Sequence, residues 1–329
     1  MKPIVILGMH RSGTSATTRA LGLLGASMGP LQDMGKFWEN QPMRRVNEEL
    51  LEAFGGGWEC PPVLPVGWER SPEAQAFLPR ARTTLAVEFA DAPVMVWKDP
   101  RTCITLPFWR EVFDEEPVVV FIHRHPAEVA GSLLARNHLS RGHAFAVWER
   151  FNADALLHSI DLPTVAIEYE PLVEDPITTM TQLVGSLAAW GVTLPNDPAT
   201  TDMELTPKRR HHQAATGDVF DDPIATESQL DLFALLHELE GVSDRFAVPR
   251  PIPEPHPLSV ELLGLAAQAR ASRRDARAAR NELDQAVGSR RRLLRRLVGQ
   301  TVPGGVGGRA GASGPSPAAA NPPPVPSET

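Results

Sequence analysis

Cysteine is nearly absent from this chain. Cys60 and Cys103 are the only two in 329 residues and lie far apart. That is too few for a disulfide framework or a cysteine-built zinc site, so a reducing, cytoplasmic compartment is expected. No apolar run approaches the roughly eighteen residues a membrane-spanning helix needs. His211-His212 has no partner at metal-ligand spacing, and no metal is expected. The first apolar run begins at Ile4, so no secretory leader is expected either. Positive charge is also scarce over most of the chain. The net charge is −8, yet residues 257–300 hold ten arginines against four acidic residues, which leaves −14 on the body through His256. An acidic body disfavours nucleic acid as a partner. What remains is 42% hydrophobic content, enough for one sizeable α/β core plus appendages.

The segment Ile4-Val5-Ile6-Leu7-Gly8-Met9-His10-Arg11-Ser12-Gly13-Thr14-Ser15 is the most informative. Four apolar residues predict a buried strand. Ala16–Leu24 then puts Ala16, Ala20, Leu21 and Leu24 on one helical face and stops at Gly25. Strand, tight loop and helix N-terminus form an anion cradle, because unpaired N–H groups and the helix dipole point at one spot. Arg11, Thr14 and Ser15 add side-chain donors. A nucleoside-triphosphatase loop would carry lysine directly after its second glycine, and Thr14 occupies that place. A kinase using ATP and magnesium therefore lacks its central cation.

A second strand, Pro117–Ile122, leads into His123-Arg124-His125-Pro126 and a helix over Ala127–Leu134 that carries Ser132. A third, Val94–Trp97, ends in Lys98-Asp99-Pro100-Arg101. After the first helix comes Gly35-Lys36-Phe37-Trp38-Glu39-Asn40, then Val46–Leu51 with Glu48 and Glu49.

The Arg-Ser-Gly-Thr-Ser order after a first strand resembles the 5′-phosphosulfate loop of sulfotransferases that use 3′-phosphoadenosine 5′-phosphosulfate (PAPS). Arg124, Pro126 and Ser132 match the spacing of that family's 3′-phosphate motif, and Lys98–Arg101 looks like a segment of tyrosylprotein and many bacterial sulfotransferases. The resemblance covers residues 1 to about 245. It implies that Arg11, Ser12, Gly13, Thr14 and Ser15 hold the 5′-phosphosulfate, that Arg124 and Ser132 hold the 3′-phosphate, and that Lys98 donates toward the transferred group. By position, Glu39 matches the glutamate that deprotonates the acceptor hydroxyl, with Phe37 and Trp38 partly desolvating it; His10, Glu48 and Glu49 are the alternatives. Asp99 is expected to hold its loop or Arg101. Tyr169–Pro176 resembles a Tyr-Glu-x-Leu segment of the family, and Lys208–His212 is the only basic cluster placed to cover the adenine side.

Strands near 4–7, 94–97, 117–122 and 164–167 alternate with helical stretches. They predict a three-layer α/β fold, a parallel sheet with helices on both faces. The expected organisation is a catalytic domain over 1–250, a Pro-rich linker at 251–257, an Ala/Arg-rich basic helix over 258–300 and a disordered tail from 301 to 329. The basic helix offers either peripheral attachment to the inner membrane surface or self-association. Trp58 and Trp68, in the irregular Gly55–Ser71 stretch, would suit a sugar acceptor or simply pack the loop. The reading is thus an enzyme moving a sulfuryl group from PAPS to an acceptor hydroxyl, with a carbohydrate on a glycan or glycolipid favoured and a small-molecule alcohol or a protein tyrosine left open. Its rivals are an ATP–magnesium kinase and a silent scaffold acting through the basic helix.

Overall fold

The computed structural model describes residues 1–30, 32, 34, 37–201, 220–239 and 248–299, with backbone alone at 286, 288 and 290–299. Two compact units divide the chain, Met1–Arg273 and Arg274–Thr329. The sheet of the first unit contains β1 (Lys2–Leu7), β2 (Val94–Lys98), β3 (Val118–His123) and β4 (Thr164–Glu168), all parallel in the order β2-β1-β3-β4. Helices α1 (Thr14–Leu23), α2 (Gln41–Ala53), the short α3 (Pro72–Gln75), α4 (Leu78–Glu88) and α5 (Thr102–Arg110) precede β3 in the chain. After β3 come α6 (Pro126–Asn137), α7 (Arg141–Ser159), the short α8 (Tyr169–Glu174), α9 (Pro176–Ala189), α10 (Glu227–His237) and α11 (Pro257–Gly299).

Both faces of the sheet are buried, which is why its strands read as unbroken apolar runs rather than alternating ones. Val5, Leu7, Met95, Trp97, Val119 and Phe121 enter one core with α2, α5 and α7. Ile4, Ile6, Val96, Val118, Val120 and Ile122 enter the other with α1 and α9. The expected three layers are present.

Helix starts follow local chemistry. Asn40 Oδ1 accepts from the Met43 N–H at 3.1 Å and Pro42 occupies the first turn of α2. His125 Nδ1 accepts from Ala127 N at 3.2 Å, with Pro126 opening α6. Each cap satisfies a donor the helix cannot. Trp68 is buried against Phe54, edge to face at 5.3 Å, so it packs the loop and offers no sugar face.

The first unit does not stop at the Pro-rich segment. Glu149, buried on α7, accepts hydrogen bonds from the Ser228 hydroxyl, from Gln229 Nε2 at 3.2 Å and from His256 N at 3.3 Å. It thereby ties the starts of α10 and α11 to the core, with its negative charge at the positive end of α11. Ser259 and Leu263 are buried, and Arg270 pairs with Glu59 at 2.8 Å and Glu52 at 2.6 Å. In the second unit α11 runs on from Arg274 to Gly299. Gly35, Lys36, the Lys208–His212 cluster and the 301–329 tail lie outside the described residues.

Candidate active site

The loop after β1 depends on two glycines. Gly8 sits at φ +146°, and a Cβ there would lie 2.4 Å from the carbonyl oxygen of Ile122 on β3. Gly13 sits at φ +94°, and a Cβ would lie 2.4 Å from Cδ2 of Tyr169. Between them Arg11 holds φ +74°, a left-handed conformation that a residue with a Cβ seldom adopts. Gly13 leads into α1 with no side-chain cap and no acidic residue in the first turn, so the positive helix end is left for something else. The Ser12 hydroxyl is buried without a hydrogen-bond partner.

The loops after β1 and β2 and the end of α6 frame a cleft of about 180 Å³. Arg11, Thr14, Ser15, Glu39 and Lys98, five of the expected site residues, line it together. Among the described residues its charged lining is five cations, Arg11, Arg44, Lys98, Arg101 and Arg136, against the single carboxylate of Glu39. The crowding bears on Arg11, whose pKa is lowered by burial and then by Arg136 and Arg124. Positive groups pressed this closely are relieved by a bound polyanion.

Glu39 is buried and accepts a hydrogen bond from Lys98 Nζ at 3.0 Å. Burial lowers the Lys98 pKa, and Glu39 partly offsets that. Behind this pair is a polar hub on α2. Asn47 Nδ2 donates to Asp99 Oδ2 at 2.9 Å and to Thr102 at 3.2 Å, while its Oδ1 accepts from Thr105 and from Trp109 Nε1, each at 2.7 Å. Asp99 also takes Arg101 Nη1 at 2.8 Å. Asp99 therefore holds both its loop and Arg101, as expected.

His10, half-buried in the cleft wall, lies against Trp58 (4.6 Å between ring centroids) and Phe151 (5.7 Å). Its Nε2 is buried without a hydrogen-bond partner. Burial, then Arg101, Lys98, Arg11 and Arg136, push its pKa well below the usual histidine value, so it is neutral at pH 7. Glu48 and Glu49 are taken up in ion pairs, Glu48 with Arg101 at 3.0 Å and Glu49 with Arg80 at 2.6 Å.

The second motif meets the first directly. Arg11 Nε donates to Ser132 Oγ at 2.7 Å, and Arg124 Nη1 donates to the Arg11 carbonyl at 3.0 Å. Arg124 is buried, paired with Glu128 through Nε at 2.7 Å, and lies 4.2 Å over the Tyr169 ring. Arg124 and Ser132 sit behind the loop and are not among the residues lining the cleft. Arg136 is, and sequence reading missed it. It lies four residues after Ser132 on α6, a helical spacing that would have flagged it. Arg44 and Asn47 carried no comparable signal.

The sequence model described as "Sulfotransferase family" matches residues 3–189, more than half the chain. Among solved structures, a sulfotransferase domain from the olefin synthase of Synechococcus PCC 7002 is 16% identical, with 81% of this chain and 94% of that one covered and a TM-score of 0.38. A sulfotransferase of Mycobacterium tuberculosis is 16% identical, covering 61% and 70%, with a TM-score of 0.39. One from Mycobacterium avium is 15% identical, covering 65% and 69%, also at 0.39. Comparison with curated proteins gives no match.

Proposed function

The chain belongs to the sulfotransferase family, and from that premise we propose that it transfers a sulfuryl group from PAPS to a hydroxyl of a carbohydrate acceptor. One observation carries the reading: among the described residues five cations and one buried carboxylate line a cleft that also takes in Thr14 and Ser15 at the uncapped start of α1. The donor supplies an activated sulfuryl group on the 5′-phosphate, and every other contribution comes from the chain. Arg11, Thr14 and Ser15 bind the 5′ end with the α1 N–H groups, while Arg124 and Ser132 serve the 3′-phosphate. Glu39 takes the acceptor proton as the new S–O bond forms. Lys98 neutralises charge as the old S–O bond breaks toward the leaving phosphate.

Support for a carbohydrate acceptor comes from the space beside the cleft. Arg44, Trp58 and Arg101 are shared with a groove of about 560 Å³ that also holds Glu48, Glu49, Glu52 and Glu59. Its carboxylates and guanidiniums offer acceptors and donors to neighbouring hydroxyls, and the indole offers a flat face. Two free, buried cysteines support a cytoplasmic setting.

The test is thermal shift with 3′-phosphoadenosine 5′-phosphate (PAP), with ATP plus magnesium, and with buffer, followed by transfer of labelled sulfate from PAPS to a glycan panel. Stabilisation by PAP and label on a glycan are expected. Stabilisation by ATP–magnesium alone would sink the reading.

A further inference from the structure

On α11 every residue from Ala271 to Gln285 is exposed, with Leu283 at 63%, and Val287 further on is 41% exposed. A solitary helical stretch of this length is marginal in water, and in proteins such helices draw their stability from packing one face.

The sequence supplies a face. Ala276, Ala279, Leu283, Ala286, Arg290, Leu293 and Leu297 follow one another in alternating steps of three and four. The same phase runs back along the helix through Ser272, Ala269 and Leu265, two small residues and one large apolar one. A strict 3.5-residue repeat is the signature of a two-stranded, left-handed supercoil rather than of a helix lying on a globular surface. Small residues alone would not identify what covers the stripe. The charges beside it do. Asp275 and Glu282 occupy the flank just before the first seam position of each heptad, while Arg273 and Arg280 occupy the flank just after the second. In a parallel, in-register pair the first flank meets the second flank of the other helix five residues on, so Asp275 meets Arg280 of a second copy, twice per dimer. Antiparallel pairing would set arginine against arginine and acid against acid. The pattern is self-complementary in one orientation.

We propose that the second unit holds two copies of this chain together as a parallel, in-register coiled coil along the Ala276–Leu297 seam. Alanine fills most of the early seam, so the helices approach closely but bury little area. The pair is therefore concentration-dependent. Parallel pairing also brings the basic runs 290–296 to one end, where physiological salt screens their repulsion over about 8 Å.

Full-length protein should sediment as a monomer–dimer equilibrium across roughly a hundredfold concentration range. Cys60 and Cys103 are buried, so single cysteines introduced on α11 report without background. Under mild oxidation Ala276→Cys and Ala279→Cys should each give a covalent dimer, whereas Asn281→Cys, on the outer face, should not. Arg280→Glu should weaken association, and adding Asp275→Arg to it should restore association. Three outcomes would overturn the proposal: a monomer at every concentration, equal cross-linking at Asn281, or Arg280→Glu without effect. A monomer that instead sediments with vesicles of anionic lipid would assign the helix to a membrane surface.

Discussion

Lys98 and Glu39 meet at 3.0 Å with both side chains nearly out of solvent, so the expected base is held by the expected sulfuryl-side cation. Removing one partner leaves the other charged and buried. Lys98→Met should therefore destabilise the fold by about 3–5 kcal/mol. Adding Glu39→Gln should recover most of that loss while activity stays absent. Glu39→Gln alone leaves Lys98 buried without its counter-charge, so it should also lower stability, less than Lys98→Met because the amide oxygen still accepts from Nζ. It should lower kcat by about a hundredfold to ten-thousandfold, the usual range for loss of a general base. Chemical denaturation beside steady-state assays separates the two roles.

Acid should destabilise the protein before its carboxylates titrate. His123, at the end of β3, has its pKa lowered to about 4 by burial. Between pH 6.5 and 4 the unfolded chain binds a proton that the folded chain refuses, so stability falls as pH falls through that window. The full shift amounts to about 3 kcal/mol. His10 acts in the same direction. Urea midpoints measured from pH 7 to pH 4 should show a flatter slope for His123→Gln than for the parent.

Gly13→Ala should abolish PAP binding. The new methyl meets the Tyr169 ring at 2.4 Å and the backbone is held at φ +94°. The strain is about 1–3 kcal/mol before any clash is counted. Gly55 has a similar positive φ of +81° but nothing within 4 Å. Gly55→Ala should leave PAP affinity unchanged, and titration calorimetry on the two variants makes the comparison.

Arg124 gives a test that depends on sign. Arg124→Ala should weaken PAP by about 2–3 kcal/mol, and should weaken an analogue without the 3′-phosphate far less. Glu128 is its ion-pair partner at 2.7 Å. If Arg124 serves the 3′-phosphate, Glu128→Gln releases charge toward it and PAP binds more tightly. Weaker binding would mean that Glu128 positions Arg124 and that the pair acts as one piece.

Where the chain is cut should decide what is lost. Ending it after Arg273 should preserve turnover of a short soluble acceptor. Ending it after His256 removes Ser259 and Leu263 from the core and Arg270 from Glu52 and Glu59. That truncation should lower Tm and raise the acceptor KM, because the loop carrying Trp58 and Glu59 loses its tether.

The strands and the loops that follow β1 and β3 were legible in the sequence because their signals are local. Apolar runs, glycine at forced backbone angles, and fixed spacings after a strand all lie within a dozen residues. Arg136 was legible in principle through helical spacing from Ser132. Asn47 was not. Its partners Asp99, Thr102, Thr105 and Trp109 lie more than fifty residues away, and an asparagine inside an amphipathic helix reads as surface. The stretch 148–152 reads as an amphipathic helix. The helix is there as α7, but residues all around it, from Phe145 to Leu156, are buried, so it has no exposed face over that length. The reach of the first unit past the Pro-rich segment depended on Glu149, whose pairing with Ser228 and His256 has no trace in composition.

Tyr169 has the ring that bars a side chain from Gly13 and lies beneath the guanidinium of Arg124. It is also the single tyrosine of the chain. Biosynthetic fluorotyrosine would thus install one fluorine nucleus at the junction of both loops and nowhere else. Its spectrum would be a single line. Ring-current and electric-field changes at that line would report the loop and the arginine together, so ligand occupancy could be followed without a substrate, a coupled assay or any added dye.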